Sequence, residues 1–290
     1  MVTCNGDANG SVSVTGSGGT VAGDYTYLWN NGQTTSTATN LAPGTYTVTI
    51  KDDNNCSSSA GPVSITEPAV LTASDGSPSM VSCNGGSDGS VTVTASGGTV
   101  AGDYTYLWSN GQITATATGL SAGSYTVTIT DDNSCQASAG PVTITEPTLV
   151  VATMGLPTMV TCNGDADGSV TVTGSGGTVA GDYIYLWSNG QTTATASGLS
   201  PGSYSVTITD DNGCQASAGP VTITEPDVLA IGSMSMDSVS CNGLFDGTAT
   251  ANSITGGNGT NSFLWDAGAG SQSTNPAIGL GAGNYTVTVT

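Results

Sequence analysis

A chain of 290 residues with 21 acidic side chains, one basic residue, Lys51, and no histidine has a formal net charge of −20. It repels phosphate backbones and anionic lipid surfaces, so nucleic acid is excluded as a partner. Charged residues make up only 8% and glycines number 43, which leaves a neutral, hydroxyl-rich coat of Ser, Thr, Asn and Gly to face water. No apolar run reaches the roughly 18 residues that a membrane span requires. Hydrophobic residues at 37%, set in strand-like alternation, suit several small cores better than one large core or a disordered chain.

A repeat organises the chain. Trp29, Trp108 and Trp187 stand 79 residues apart, as do Cys4, Cys83, Cys162 and Cys241. That period is too long for a solenoid unit and fits a small independent domain. Four repeats are expected, spanning residues 1–68, 69–147, 148–226 and 227–290. Met1 aligns with Met80 and Met159, and Thr290 with Thr209, so repeat 1 is expected to be cut at its start and repeat 4 at its end, within a longer array. On that expectation the lack of a leader or anchor says nothing about targeting.

Repeat 3, taken in order, reads as all-β. Leu149 to Ala152 makes a short apolar strand, and the Gly155-Leu156-Pro157 turn leads to a second that ends at Cys162. After the loop Asn163 to Gly168, Val170 and Val172 alternate with threonines, which puts valine on a core face and threonine in water. A Gly-rich bend from Gly174 to Asp182 precedes a strand with Tyr183, Tyr185 and Trp187 inward and position 184 solvated. Asn189-Gly190 is expected to close a hairpin onto Thr192 to Ala196, because both residues tolerate positive φ. Leu199, Pro201, Gly202 and Tyr204 resemble the tyrosine corner of immunoglobulin-like sandwiches, with Tyr204, Val206 and Ile208 facing inward. Val221 and Ile223 make the last strand, ending at Glu225-Pro226.

Seven strands that each reverse direction bring the chain in at one pole and out at the other, so repeats would stack end to end as a rod. The same parity sets the loop from Cys162 to Gly168, the Asn-Gly turn and the loop from Asp210 to Cys214 together at the pole where the chain enters. Cysteine spacings alternate between 52 and 27 residues, which alone permits pairing within a repeat or between neighbours. Parity favours the within-repeat pairs Cys4–Cys56, Cys83–Cys135 and Cys162–Cys214, with Cys241 left to a partner beyond Thr290. Each closure would contribute about 4 kcal/mol, and disulfides imply an exported protein. With no histidine and no Cys-x-x-Cys, zinc and thiol redox chemistry are the weaker reading.

The carboxylates supply the one candidate for site chemistry. Asn163, Asp165, Asp167 and Gly168 follow the opening of a calcium loop. The acidic ligand expected six residues after the glycine is missing, since that position is Gly174, and Gly86 and Leu244 replace Asp165 in repeats 2 and 4. An Asx turn accounts for the loop taken alone. Pooling across a junction offers more ligands: Glu146, leaving repeat 2, would meet Asp165, Asp167, Asp210 and Asp211 of repeat 3. In the same way Glu67 would meet Asp88, Asp131 and Asp132 of repeat 2. Two readings stand open, interdomain Ca2+ that stiffens the array, or hydrated turn-forming carboxylates; no other cofactor is implied.

Catalysis finds little support. No histidine exists to activate a nucleophile, and Lys51 has no counterpart in the other repeats. The pairs Asp52-Asp53, Asp131-Asp132 and Asp210-Asp211 could suggest glycosidase carboxylates, but adjacent strand residues point to opposite faces. Lys-Asn isopeptide cross-links cannot form without repeated lysines.

The succession CNGDADGSVTV, SGG, YLWSNGQTT and GLSPGSYSVTITDDNGC resembles the SprB repeat of giant cell-surface adhesins in gliding Bacteroidota. The resemblance covers the core of all four copies, and repeat 4 departs from it with Asp266-Ala267-Gly268 at the turn and Asn261 in place of the first strand tyrosine. It implies export by the type IX system, an extracellular location on the bacterial cell surface, and filaments moved along the cell in gliding motility. Asp237-Ser238-Val239 also resembles the O-glycosylation motif of that phylum.

The fold expected is a tandem of immunoglobulin-like or PKD-like seven-stranded β-sandwiches, with neighbouring repeats as each other's partners. The function expected is non-enzymatic, the filament or stalk of an adhesin. One alternative is a module that grips polysaccharide or another external surface by avidity. Another is a self-assembling fibre or sheath subunit that pairs through strand edges.

Overall fold

The computed structural model describes residues 1–290, which form two compact units, Met1–Pro147 and Thr148–Thr290. The first holds repeats 1 and 2, the second repeats 3 and 4. All regular structure is strand except one turn of 3-10 helix at Ala267–Ala269, and no helix is long and apolar enough to cross a membrane.

Repeat 1 contains β1 (Gly10–Ser13), β2 (Thr26–Trp29), β3 (Thr37–Leu41), β4 (Gly44–Lys51) and β5 (Ser57–Ile65). Repeat 2 contains β6 (Ala69–Asp75), β7 (Gly89–Gly98), β8 (Thr105–Trp108), β9 (Thr116–Leu120), β10 (Gly123–Thr130) and β11 (Gln136–Ile144). Repeat 3 has the same six, β12 (Val151–Met154), β13 (Gly168–Ser175), β14 (Ile184–Trp187), β15 (Thr195–Leu199), β16 (Gly202–Thr209) and β17 (Gln215–Ile223). Repeat 4 contains β18 (Ala230–Asp237), β19 (Gly247–Thr255), β20 (Phe263–Trp265), β21 (Ala277–Leu280) and β22 (Val287–Val289).

Repeats 2 and 3 are sandwiches of two antiparallel three-stranded sheets. In repeat 3 these are β12-β13-β15 and β14-β16-β17. Period-two alternation builds the core between them: Val170 and Val172 of β13, Ala196 and Leu199 of β15, Trp187 of β14, Val206 and Ile208 of β16 and Ile223 of β17 are all buried in one cluster. Their alternate neighbours Ile184 and Leu186 face water. Each fully buried side chain of this size contributes about 1.5–3 kcal/mol. Repeats 1, 2 and 4 have separate clusters of their own, around Trp29, Trp108 and Trp265.

The tyrosine corner forms in every repeat. The hydroxyls of Tyr46, Tyr125, Tyr204 and Tyr285 each donate to the carbonyl four residues back, at 2.8–3.1 Å. Three other expectations change. The first strand of repeat 3 begins at Val151, with Val150 buried and Leu149 exposed. The segment expected as a second strand reduces to a single bridge, Thr158 to Ser169, so a complete repeat has six strands instead of seven.

The third change concerns the Asn-Gly turn. It bends tightly, with the N–H of Trp187 donating to the Gln191 carbonyl and that of Gly190 to the Trp187 carbonyl. It does not close a hairpin, because β14 pairs with β16 and β15 pairs with β13 in the other sheet. Both β13 and β16 run antiparallel to their partners, so the registers show that β14 and β15 run in the same direction.

Parity shifts accordingly. Near Thr148 the chain enters beside Gly177, and Val151 pairs with Ser175. Gly168 pairs with Leu199 and Gly202 with Ile223 at the other end, where the chain leaves. The loop from Cys162 to Gly168 therefore lies at the C-terminal pole, and the loop from Asp210 to Cys214 at the N-terminal pole. The length of β13, about 24 Å at 3.4 Å per residue, separates the two.

Candidate functional site

The C-terminal pole is closed by a brace between residues over sixty positions apart. In repeat 3 the Asn163 side-chain amide donates to the Pro226 carbonyl, and the Gly164 N–H donates to the Glu225 carboxylate at 2.6 Å. Gly164 has φ of +87°, which only glycine adopts freely. Repeats 1 and 2 repeat the brace, with Asn5 and Gly6 on Pro68 and Glu67, and Asn84 and Gly85 on Pro147 and Glu146. Thus Cys-Asn-Gly and Glu-Pro form one structural motif.

A second carboxylate folds this loop from below. Asp167 accepts from the Thr161 N–H at 3.0 Å and from the Thr161 hydroxyl at 2.5 Å. Asp88 and Asp246 do the same for Ser82 and Ser240. The hydroxyl donor, followed by the backbone N–H, holds each of these three carboxyls below the ordinary aspartate range.

At the N-terminal poles of repeats 2 and 3 one aspartate is buried. Asp210 is 2% exposed and Asp131 6%. Asp210 Oδ2 accepts from the Thr178 N–H at 2.8 Å, and Oδ1 from the N–H groups of Asn212 and Cys214. The Thr178 N–H is the leading cause of its lowered pKa. At Asp131, burial pushes the pKa up, but N–H donors from Thr99, Cys135 and Asn133 outweigh it and bring the value down. The next aspartates, Asp132 and Asp211, accept from the N–H groups of Ala101 and Ala180. Gly177 shows why the Gly-rich bend is needed here: a Cβ on it would stand 2.4 Å from Asp210 Oδ2, and its φ is +67°.

Within the first unit the two kinds of pole meet. Cys4, at the C-terminal pole of repeat 1, is disulfide-bonded to Cys135, at the N-terminal pole of repeat 2, with Cα atoms 5.7 Å apart. Beside the bond, the Asn133 side-chain amide donates to the Thr3 carbonyl at 3.0 Å. Cys83 and Cys214 are likewise in disulfides, whereas Cys56, Cys162 and Cys241 are exposed thiols. The expected pairs Cys4–Cys56, Cys83–Cys135 and Cys162–Cys214 are thus corrected. A within-repeat pair would have to span the sandwich from pole to pole, far beyond the roughly 7 Å limit between bonded Cα atoms.

The carboxylates expected to pool divide between the two poles of each repeat: Asp88 leaves its expected set, whereas Glu67 and the pair Asp131 and Asp132 stand at the two poles that meet in the first unit. Asp88 and Asp167 lie with Glu146 and Glu225 at C-terminal poles, while Asp131, Asp132, Asp210 and Asp211 lie at N-terminal poles. No three His, Cys, Asp or Glu residues come together as a metal group. Glu67, Glu146, Asp88, Asp131, Asp132, Asp167, Asp210 and Asp211 already accept from N–H donors. Asp165 turns the loop through its N–H to the Cys162 carbonyl.

Sequence reasoning missed a glutamine clamp. The Gln191 amide bonds both the N–H and the carbonyl of Ser197, tying the Asn-Gly turn to β15, while the Trp187 indole N–H donates to the Thr193 carbonyl. Gln33, Gln112 and Gln272 act alike on Thr39, Thr118 and Ile278. Its recurrence just after each turn was the available signal.

The family model of the SprB repeat matches four times, at residues 2–34, 76–112, 157–192 and 235–270. In the first three repeats each match includes the Cys-Asn-Gly loop and ends at the clamping glutamine or one residue past it. No curated protein matches the chain. Among solved structures, three N-terminal domains of the highly immunogenic outer capsid protein of bacteriophage RB49 are 18% identical, with 72% of this chain and 78% of that one covered and a TM-score of 0.35. A tetra-tandem repeat from the extending region of a large adhesion protein is 17% identical over 92% of this chain and 79% of that one, with a TM-score of 0.27. A Bacteroides ovatus glucan-utilization protein, SGBP-B, in complex with a mixed-linkage heptasaccharide, is 15% identical over 98% and 85%, with a TM-score of 0.18.

Proposed function

Since the chain belongs to the SprB-repeat family, with four matches in step with its repeats, we propose that it is the structural repeat array of a cell-surface adhesin. The observation that carries this reading is the junction in the first unit, where a disulfide and an amide hydrogen bond join successive sandwiches. A covalent link between neighbours serves a chain that must stay extended under load outside the cell, where disulfides persist. The polar groups that could have formed a reactive site are engaged in closing the poles, in keeping with a non-enzymatic role. Tyr46, Tyr125, Tyr204 and Tyr285 spend their hydroxyls on backbone carbonyls, which gives the polysaccharide-gripping reading less support.

The finer reading is a filament exported by a type IX system and driven along the cell in gliding. Antibodies raised against repeat 3 test the location. They are expected to label intact cells and to lose that label after brief surface proteolysis; label seen only after permeabilisation would overturn the reading. Electron microscopy of the purified array then tests the stalk, with single extended strings expected and compact particles against it.

A further inference from the structure

Tension that crosses repeat 2 along the chain enters on β6 and leaves on β11, and these two strands belong to different sheets, β6-β7-β9 and β11-β10-β8. No ladder of hydrogen bonds joins the entering strand to the leaving one. Between them stand isolated bonds, from the Gly140 N–H to the Asp75 carboxylate and from the Val81 N–H to the Thr145 carbonyl, both at 3.0 Å. The rest is packing around Trp108, Val91 and Ile144, whose dispersion contacts are individually tiny. Pulling on β6 and β11 would therefore peel one sheet from the other. The Cys4–Cys135 bond offers another route. Cys135 stands directly before Gln136, the first residue of β11. From there β11 runs pole to pole, with Gln136 paired to Thr130 at the N-terminal pole and Ile144 to Gly123 at the C-terminal pole. The chain then leaves through Glu146-Pro147, held by Gly85 and Asn84. A strand at about 3.4 Å per residue is close to the roughly 3.6 Å limit of a stretched chain, so β11 has little slack.

We infer that the Cys4–Cys135 bond and β11 together form a covalent load bypass. Tension between Cys4 and Pro147 runs through the disulfide and along β11, and the chain between the two cysteines, a separation of 131 positions, stays out of the path. The other strands of repeats 1 and 2 are attached to that path without lying in it, so neither their ladders nor the packing between sheets has to resist the pull. Repeat 3 is built alike: β12 and β17 again lie in different sheets, and Cys214, which is also bonded, stands directly before β17. The inference rests on the load-bearing reading above and names the segment that bears the load.

Single-molecule stretching of the full chain tests it, with one handle at Met1 and the other on an azide-bearing residue in place of the exposed Leu149. With the bond formed, the covalent path between the handles is about 17 residues, or about 60 Å, against about 500 Å for the open chain. No step longer than about 60 Å is expected before the bond itself breaks. Cys4→Ser combined with Cys135→Ser should release several hundred ångström at forces that the bonded protein withstands, about an eightfold gain in length. Val91→Ala, in the bypassed core, should lower the opening force of the double variant and leave the extension of the bonded protein unchanged. Long steps in the bonded protein would overturn the proposal. So would a double variant that stays closed under the same load, because the sandwiches would then carry it themselves. Stretching reads the molecule and not its location, so failed antibody labelling would leave the bypass standing, and long steps would leave the surface location standing.

Discussion

Aspartate closes both poles of a repeat, but by different means. At the N-terminal pole of repeat 3, Asp210 is buried and takes three backbone N–H groups. At the C-terminal pole, Asp167 stays in water and takes one N–H and one hydroxyl. Removing a buried acceptor orphans several donors that water cannot reach, whereas an exposed acceptor is replaced by water. The N-terminal pole should therefore be the fragile one, and the C-terminal pole should tolerate change. The disulfide in the first unit joins one pole of each kind.

The sharpest way to break the contrast is to crowd the buried aspartate. Gly177→Val places a branched side chain at positive φ and within 2.4 Å of Asp210 Oδ2; a loss of about 3 kcal/mol in repeat 3 is expected. Hydrogen exchange read on repeat 3 peptides measures it, with repeat 1 peptides as the internal control. A loss confined to a few tenths would show that the pole can relax around the intrusion.

A paired test follows. Asp210→Ala should lower the melting temperature of repeat 3 by several degrees, and Asp167→Ala by clearly less. Acid should weaken both. Both carboxyls are held below their ordinary pKa in the folded state, so the stability they confer is present above the unfolded value near pH 3.9 and is lost as pH falls through the lower folded value. Acid unfolding monitored by circular dichroism should lose part of its steepness below about pH 4 in Asp210→Asn. Equal sensitivity of the two variants would erase the distinction between poles.

The smallest effect is expected from Tyr204→Phe, which removes the hydroxyl bond to the Ser200 carbonyl near the C-terminal pole and keeps the ring. About 1 kcal/mol should be lost, again read by exchange in repeat 3. A larger loss would mean that this corner organises the pole and does not merely decorate it.

Several features were legible from residues alone because they depend on neighbours in the chain. The period of 79 set the repeats, alternation set Val170 and Val172 inward, and the approach to Tyr204 set its corner. The exposed Leu186 between buried Trp187 and half-buried Tyr185 follows from the same two-residue pleat. The need for glycine in the bend was visible, but not that Asp210 occupies the space a side chain would need.

What the sequence determined by itself was local: an all-β repeat, its core face, its tyrosine corner and its cysteine pattern, all read within a few residues. The tertiary structure decided which sheet each strand joins. An Asn-Gly turn bends the chain equally well inside a hairpin or between two sheets, and only the hydrogen bonds of β15 to β13 choose between them. That choice sends Cys162 and Cys214 to opposite ends of the sandwich. It thereby decides that the observed bond, Cys4 to Cys135, joins neighbouring repeats, and it sets Asp167 and Asp210 of one repeat at opposite poles.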